Sequence, residues 1–145
     1  MEPGRGATHV TIAHSGGEAL AIATDGRSCA GLGADLEQMS RVGEVVRSAA
    51  LTEREDRWLA AVEQHARTEW AARFWCAKEA VSKALGCGLT HGGQEIEVCD
   101  VDRERGVLSL AIGSSDERRA DGRFQRRIEA CTTSDGLVVT GVAVV

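Results

Sequence analysis

The sequence predicts an α+β domain in which an antiparallel sheet packs on one long central helix. Short apolar segments with the alternating pattern of strands occur near both ends of the chain. Gly-Gly and Asp-Gly pairs, which favour tight turns, separate several of these segments. The middle of the chain has helical periodicity instead. Because the helices are grouped between the strands and do not alternate with them, βαβ repeats are not expected.

Seven segments have the composition and length of strands. They are 9–14, 18–24, 28–37, 95–101, 106–112, 124–133 and 136–145. A first helix is expected from Thr52, which has the spacing of a capping box with Glu55. The long helix should run from about Thr68 to Leu85 and end at Gly86, since glycine readily adopts the left-handed conformation that closes a helix.

The composition is that of a single domain covering residues 1–145, long enough to bury a core without disulfides. A net charge of -5 argues against a nucleic-acid partner. The 5 cysteines are odd in number and include no Cys-x-x-Cys pair, which indicates reduced thiols. We find neither an apolar run of membrane-spanning length nor a signal-peptide pattern, so we expect a cytoplasmic protein with no membrane partner.

The long helix has two distinct faces in its predicted form. One face is an apolar stripe with spacings of three and four, made of Trp70, Phe74, Ala77, Val81, Ala84 and Leu85. Glu79 and Lys83 are four residues apart on another face and are therefore neighbours. They are either an exposed ion pair, which would contribute only about 0.3–0.5 kcal/mol, or part of a reactive site.

The segment Gly-Ala-Asp-Leu-Glu favours the second interpretation. Asp35 and Glu37 are two apart in a predicted strand, so both carboxylates point to one side of the sheet. If the fold adds Glu79, the three form a set of hard oxygen ligands suited to Mg²⁺, which shares its coordination shell with substrate phosphates. Lys83 would suit the same phosphates as a point charge. The alternative is a polar strand end that leads into a loop.

Taken together, these two charged segments resemble the signature of the 4′-phosphopantetheinyl transferases. The matching positions are Gly33, Asp35, Glu37, Trp75, Lys78, Glu79, Ala80 and Lys83. The segments "TIAHSGGEALAIA" and "LTERE" also resemble a hairpin and a turn of that family. The resemblance implies the family's fold, and it covers most of the chain from His9 onward. One departure is that the two-halved, surfactin-synthetase type has a first half that this chain lacks.

By this resemblance the chain would move the phosphopantetheine arm of coenzyme A onto a serine of an acyl carrier protein, or of a carrier domain of a polyketide or fatty acid synthase. The other product would be 3′,5′-ADP. The resemblance assigns Asp35, Glu37 and Glu79 to Mg²⁺, with Mn²⁺ as a substitute. Glu79 would also be the base that takes the serine proton, and Lys83 would neutralise phosphate charge.

Further residues receive roles from the same resemblance. His14 would contact a coenzyme A phosphate, and Lys78 would either bind phosphate or pair with a carboxylate. Arg41 and Arg47 would either dock the acidic helix of the carrier protein or be ordinary solvated arginines.

The missing first half also implies an assembly. A homo-oligomer, with a trimer favoured, would supply the other wall of the coenzyme site, unless the domain is a monomer cut from a larger synthase. Two rival functions stay open: an inactive transferase-like scaffold, and another Mg²⁺-dependent enzyme acting on phosphate esters.

Overall fold

The computed structural model describes residues 8–27, 29–43, 48–89, 93–113 and 126–145. Seven strands and two α-helices lie within these ranges. The strands are β1 (His9–Ser15), β2 (Glu18–Thr24), β3 (Leu32–Gln38), β4 (Ile96–Asp102), β5 (Val107–Ile112), β6 (Arg126–Ser134) and β7 (Val138–Val144). The helices are α1 (Glu53–Ala60) and α2 (Arg67–Leu85), and short 3₁₀ turns span Met39–Arg41 and Gln64–Ala66.

The strands form two antiparallel sheets. The larger one has the order β3-β7-β6-β5-β4, and the smaller one is the hairpin of β1 and β2. Helix α2 packs across β3, β7 and β6 of the larger sheet. The predicted α+β class with an antiparallel sheet on a long central helix is therefore confirmed. The described residues contain no helix with the length and hydropathy needed to cross a membrane.

Helix α2 is buried on more sides than its apolar stripe predicts. Besides the stripe, Cys76, Lys78 and Ser82 are at most 1% exposed. The sheet covers one side of the helix, and α1 and its neighbouring segments cover another. The helix ends as predicted at Gly86, whose φ is 68°.

Most element boundaries agree with the sequence prediction to within two residues, and the exceptions have physical reasons. β3 begins at Leu32, four residues later than expected, after the backbone amides of Ala30 and Gly31 have bonded to the carbonyl of Val145. α1 stops at Ala60. The capping box at its start is present in full, since Thr52 and Glu55 bond to each other's backbone amides.

Candidate active site

The candidate site lies where α2 crosses β3, and two glycines allow the close approach. A β carbon at Gly33 would lie 1.8 Å from the carbonyl oxygen of Ala80, and one at Gly141 would lie 2.9 Å from the carbonyl oxygen of Cys76. Any larger side chain at either position would push the helix away from the sheet. Because Gly33 and Gly141 have no side chain, the polar end of β3 can lie against the charged residues of α2.

Lys83 on α2 forms hydrogen bonds with β3 across this contact. Its ammonium donates to Asp35 Oδ1 at 2.8 Å and to the carbonyl oxygen of Ala34 at 3.0 Å. Helical spacing predicts an ion pair between Lys83 and Glu79 as the alternative to a reactive site. The structure instead pairs Lys83 with Asp35, because α2 lies so close to β3.

Two carboxylates of this site, Asp35 and Glu79, have raised pKa values. Burial raises the pKa of Asp35, although the hydrogen bond and charge of Lys83 oppose the rise. Burial also raises the pKa of Glu79, and the charges of Asp35 and Glu37 add to the rise while Lys83 opposes it. The charges of Asp35 and Glu37 thus reach Glu79, and the assignment of the three carboxylates to a metal stays a prediction.

Glu37 lies at the rim of the site. Ser15 Oγ, on the neighbouring hairpin, donates to Glu37 Oε1 at 2.5 Å. Arg41 pairs with the same oxygen at 3.8 Å from the exposed turn that follows β3. Arg41 therefore stands beside Glu37, and its docking of a carrier protein stays a prediction. Arg47 lies outside the described residues.

The assignment of Lys78 to the coenzyme is wrong. The Lys78 ammonium donates to Glu55 Oε2 at 2.7 Å and to the carbonyl oxygens of Ala50 and Gly93 at 2.6 and 3.1 Å. Both side chains of this ion pair are buried, with 0% and 1% exposed. Of the two roles considered for Lys78, carboxylate pairing is the one observed, because no phosphate could reach a side chain enclosed on all sides.

His14 is also separated from the carboxylates. Thr11, Ala13 and Ser15 are the buried residues of β1, and the side chains of Thr11 and Ser15 bond to β3. His14 alternates with them, so it is exposed on the outer face of the hairpin. A phosphate held by His14 would thus lie on the far side of the hairpin from Asp35, and this role stays a prediction.

Sequence reasoning gave no role to two residues of the site. Cys76 lies one turn before Glu79 and contacts Asp35; burial and the Asp35 charge raise its pKa, so it is an inert thiol. Ser15 is the other. The alternation of Thr11, Ala13 and Ser15 along β1 could have predicted that Ser15 faces the next strand.

The carboxylates do not form a complete metal site as they stand. Among the described residues, no three His, Cys, Asp or Glu side chains are grouped closely enough to hold an ion. The donor chemistry of the set still fits Mg²⁺, since its donors are carboxylate oxygens, and repulsion by Asp35 and Glu37 adds to burial in raising the pKa of Glu79. A divalent cation among them would relieve that repulsion.

Comparison with known proteins places this geometry in a family. The model of the 4′-phosphopantetheinyl transferase superfamily matches residues 31–134, a segment that includes Asp35, Glu37, Glu79 and Lys83. The match begins just before β3 and leaves the β1–β2 hairpin outside it.

Individual relatives agree with this match. The chain is 30% identical over 93 residues to a holo-[acyl-carrier-protein] synthase of Halalkalibacterium halodurans, a match that covers 59% of this chain and 78% of that protein. It is 35% identical over 95 residues to the synthase of that name from Hydrogenovibrio crunogenus, covering 60% of this chain and 63% of that protein. The Bacillus anthracis holo-(acyl-carrier-protein) synthase, solved in complex with CoA (3′,5′-ADP), has a similar fold, with a TM-score of 0.62 and 21% identity over 80% of this chain and 95% of that one.

Proposed function

Because the chain belongs to the 4′-phosphopantetheinyl transferase superfamily, we propose that it moves the phosphopantetheine arm of coenzyme A onto a serine of an acyl carrier protein. The observation that carries the proposal is the contact between β3 and α2. There Lys83 pairs with Asp35 at 2.8 Å, within a set of carboxylates that includes Glu79. The curated relatives named above are holo-[acyl-carrier-protein] synthases, which supports the choice of an acyl carrier protein as acceptor.

The reaction joins the carrier serine oxygen to the β-phosphorus of coenzyme A and breaks the bond from that phosphorus to the bridging oxygen. The serine proton goes to a base, and 3′,5′-ADP leaves with the bridging oxygen. Little covalent chemistry falls to the protein, so catalysis depends on positioning and on neutralising phosphate charge.

Glu79 is the base in this proposal. Its carboxylate is only partly buried, so the serine proton can reach it directly or through a water. The Lys83 ammonium is a third exposed, so it can turn from Asp35 toward the leaving phosphate.

Asp35, Glu37 and Glu79 are the residues that would hold Mg²⁺. When bound, the ion supplies positive charge to the pyrophosphate oxygens. The geometry leaves room for this role, because Asp35 shares its charge with a single flexible ammonium and Glu37 lies at the rim, with 22% of its side chain exposed.

We also propose that the working form is a head-to-tail ring of identical subunits, most simply a trimer. The outer face of the β1–β2 hairpin supports this: Val10 and Ile12 are 62% and 64% exposed there, beside His14. A neighbouring subunit packed on this face would cover the apolar side chains and bring His14 next to another chain. Light scattering at micromolar concentration measures the state directly, and a fully active monomer would contradict the ring.

The transfer assay tests the main proposal. The protein is mixed with coenzyme A, Mg²⁺ and an apo acyl carrier protein, and the carrier's mass is measured. The expected result is a gain of one phosphopantetheine, together with an equal amount of 3′,5′-ADP. Glu79→Gln and a carrier whose serine is replaced by alanine are the matched controls. If hydrolysis of a phosphate ester occurs without any mass gain, the chain is a different phosphate enzyme; if neither occurs, the scaffold alternative holds.

A further inference from the structure

We propose that Ser15, on the hairpin outside the family match, is a positioning residue that orients the Glu37 carboxylate for the metal. The inference rests on the proposed function, since it assigns Glu37 to the metal. It adds that the β1–β2 hairpin belongs to the site, although the superfamily model begins only at residue 31.

The hairpin is joined to β3 by side chains and not by a strand ladder. The amide of Ala34 donates to Thr11 Oγ1 at 3.0 Å, and the amide of Gln38 donates to Ser15 Oγ at 3.4 Å. Thr11 and Ser15 are four apart on β1, as their partners are on β3. The two hydroxyls therefore take the place of the backbone carbonyls that would otherwise pair with this edge strand.

The turn of the hairpin is fixed to the same strand. Gln38 Nε2 donates to the carbonyl oxygen of Gly16 at 3.0 Å. Gly16 has a φ of 57°, a left-handed conformation that favours glycine. Gln38 thus bonds both to the Ser15 hydroxyl and to the backbone of the next residue, which fixes the position of Ser15.

The direction of the Ser15 hydroxyl follows from its partners. An amide N–H approaches the oxygen, so the oxygen accepts that bond, and the single hydroxyl proton is left to point at Glu37 Oε1. Ser15 is 6% exposed, which shields this short bond from water. Arg41, in contrast, is 3.8 Å from the same oxygen and 63% exposed, so its hold on the carboxylate is weak.

A carboxylate that binds a metal benefits from such a partner. A free glutamate side chain loses rotamer entropy when it is fixed, and a buried donor makes part of that loss before the metal arrives. Groups that orient metal ligands from behind typically change metal affinity by about 10–100-fold. Ser15 is placed to do this for Glu37.

Mn²⁺ binding tests the inference without relying on turnover. The free Mn²⁺ signal in electron paramagnetic resonance is titrated with wild-type protein, Ser15→Ala, Ser15→Thr and Thr11→Val. We expect Ser15→Ala to raise the Mn²⁺ dissociation constant about 10-fold. Ser15→Thr keeps the hydroxyl and suits a strand, so it should restore most of the affinity. Thr11→Val is the matched control, because it removes a neighbouring hydroxyl that bonds to β3 but not to Glu37.

Each outcome decides a different question. If the wild type binds Mn²⁺ and Ser15→Ala binds it equally well, the positioning role is overturned while the proposed function stands. The role is also overturned if Thr11→Val loses as much affinity as Ser15→Ala, since the effect is then one of general hairpin packing. If the wild type does not bind Mn²⁺ at all, the metal assignment itself is wrong and the role of Ser15 falls with it.

Discussion

The lysines of two lysine–carboxylate pairs lie five residues apart on α2, and the two pairs differ in burial. Lys78–Glu55 and Lys83–Asp35 have almost equal lengths of 2.7 and 2.8 Å. The first pair is buried, with side-chain exposures of 0% and 1%, whereas the second has 33% and 12%. Lys78 and Lys83 therefore differ in burial, and their spacing along the helix does not predict this difference.

The buried pair joins three parts of the chain. Besides its bond to Lys78, Glu55 accepts hydrogen bonds from the amide of Thr52 at the start of α1 and from the amide of Val98 in β4, both at 2.7 Å. Lys78 donates to carbonyls of the segments before α1 and before β4. Nearly every polar atom of this pair is therefore committed to holding α1 and β4 against α2.

The Lys83–Asp35 pair is committed to much less. Asp35 is buried enough that its pKa is raised, and Lys83 reaches it from a partly exposed position. Water reaches this pair from the Lys83 side, so it should contribute less to stability than the fully buried Lys78–Glu55 pair does. In the proposed function, this pair keeps positive charge where the phosphate groups of coenzyme A would arrive.

The largest expected effect concerns the buried pair. Lys78→Met leaves the Glu55 carboxylate buried without its cation, and breaking such a pair typically lowers the free energy of unfolding by about 3–5 kcal/mol. Urea denaturation followed by tryptophan fluorescence measures the loss. Lys83→Met is the matched control and should lose less, because water reaches the Lys83–Asp35 pair and can take the place of the ammonium. Equal losses for the two variants would mean that the pairs do not differ in the way described here.

Transfer activity, in contrast to stability, should depend directly on the charge of Lys83. Lys83→Met removes a charge that acts on the leaving phosphate, so transfer to an apo acyl carrier protein should fall by about 10²–10³-fold, as is typical when a charge-stabilising donor is lost. The fold should be intact by circular dichroism. Turnover by Lys83→Met at the wild-type rate would leave the Lys83–Asp35 pair without a catalytic role.

The sequence predicted most of this site, and the rest needed tertiary information. Strand alternation is a local rule and predicted that Asp35 and Glu37 share one side of the sheet, whereas Glu79 was added to them by the family resemblance; the charges of the two do act on Glu79. Lys78 and Lys83 could not be told apart, since the partner of Lys78 is 23 residues away in the sequence and only the packing of α1 on α2 brings Glu55 to it. His14 fits a family motif, but its strand turns it outward in a single chain. Ser15 was missed because a serine beside a turn has an ordinary local explanation.

The smallest expected effect concerns Glu79 and is a pH dependence of the free energy of unfolding in the absence of metal. Burial and the neighbouring carboxylates raise the pKa of Glu79 in the folded state, so the folded protein binds this proton more tightly than the unfolded chain does. Ionised Glu79 therefore destabilises the fold at pH 7, and this penalty disappears as pH falls below the ordinary glutamate pKa of about 4.3. Glu79→Gln should accordingly be more stable than wild type at pH 7, by less than about 1 kcal/mol because the half-exposed carboxylate is screened. The gain should shrink toward zero at acidic pH and when Mg²⁺ is added to the wild type. Urea denaturation at several pH values measures it, and a variant that is less stable than wild type at pH 7 would show that Glu79 supports the fold in the way Glu55 does.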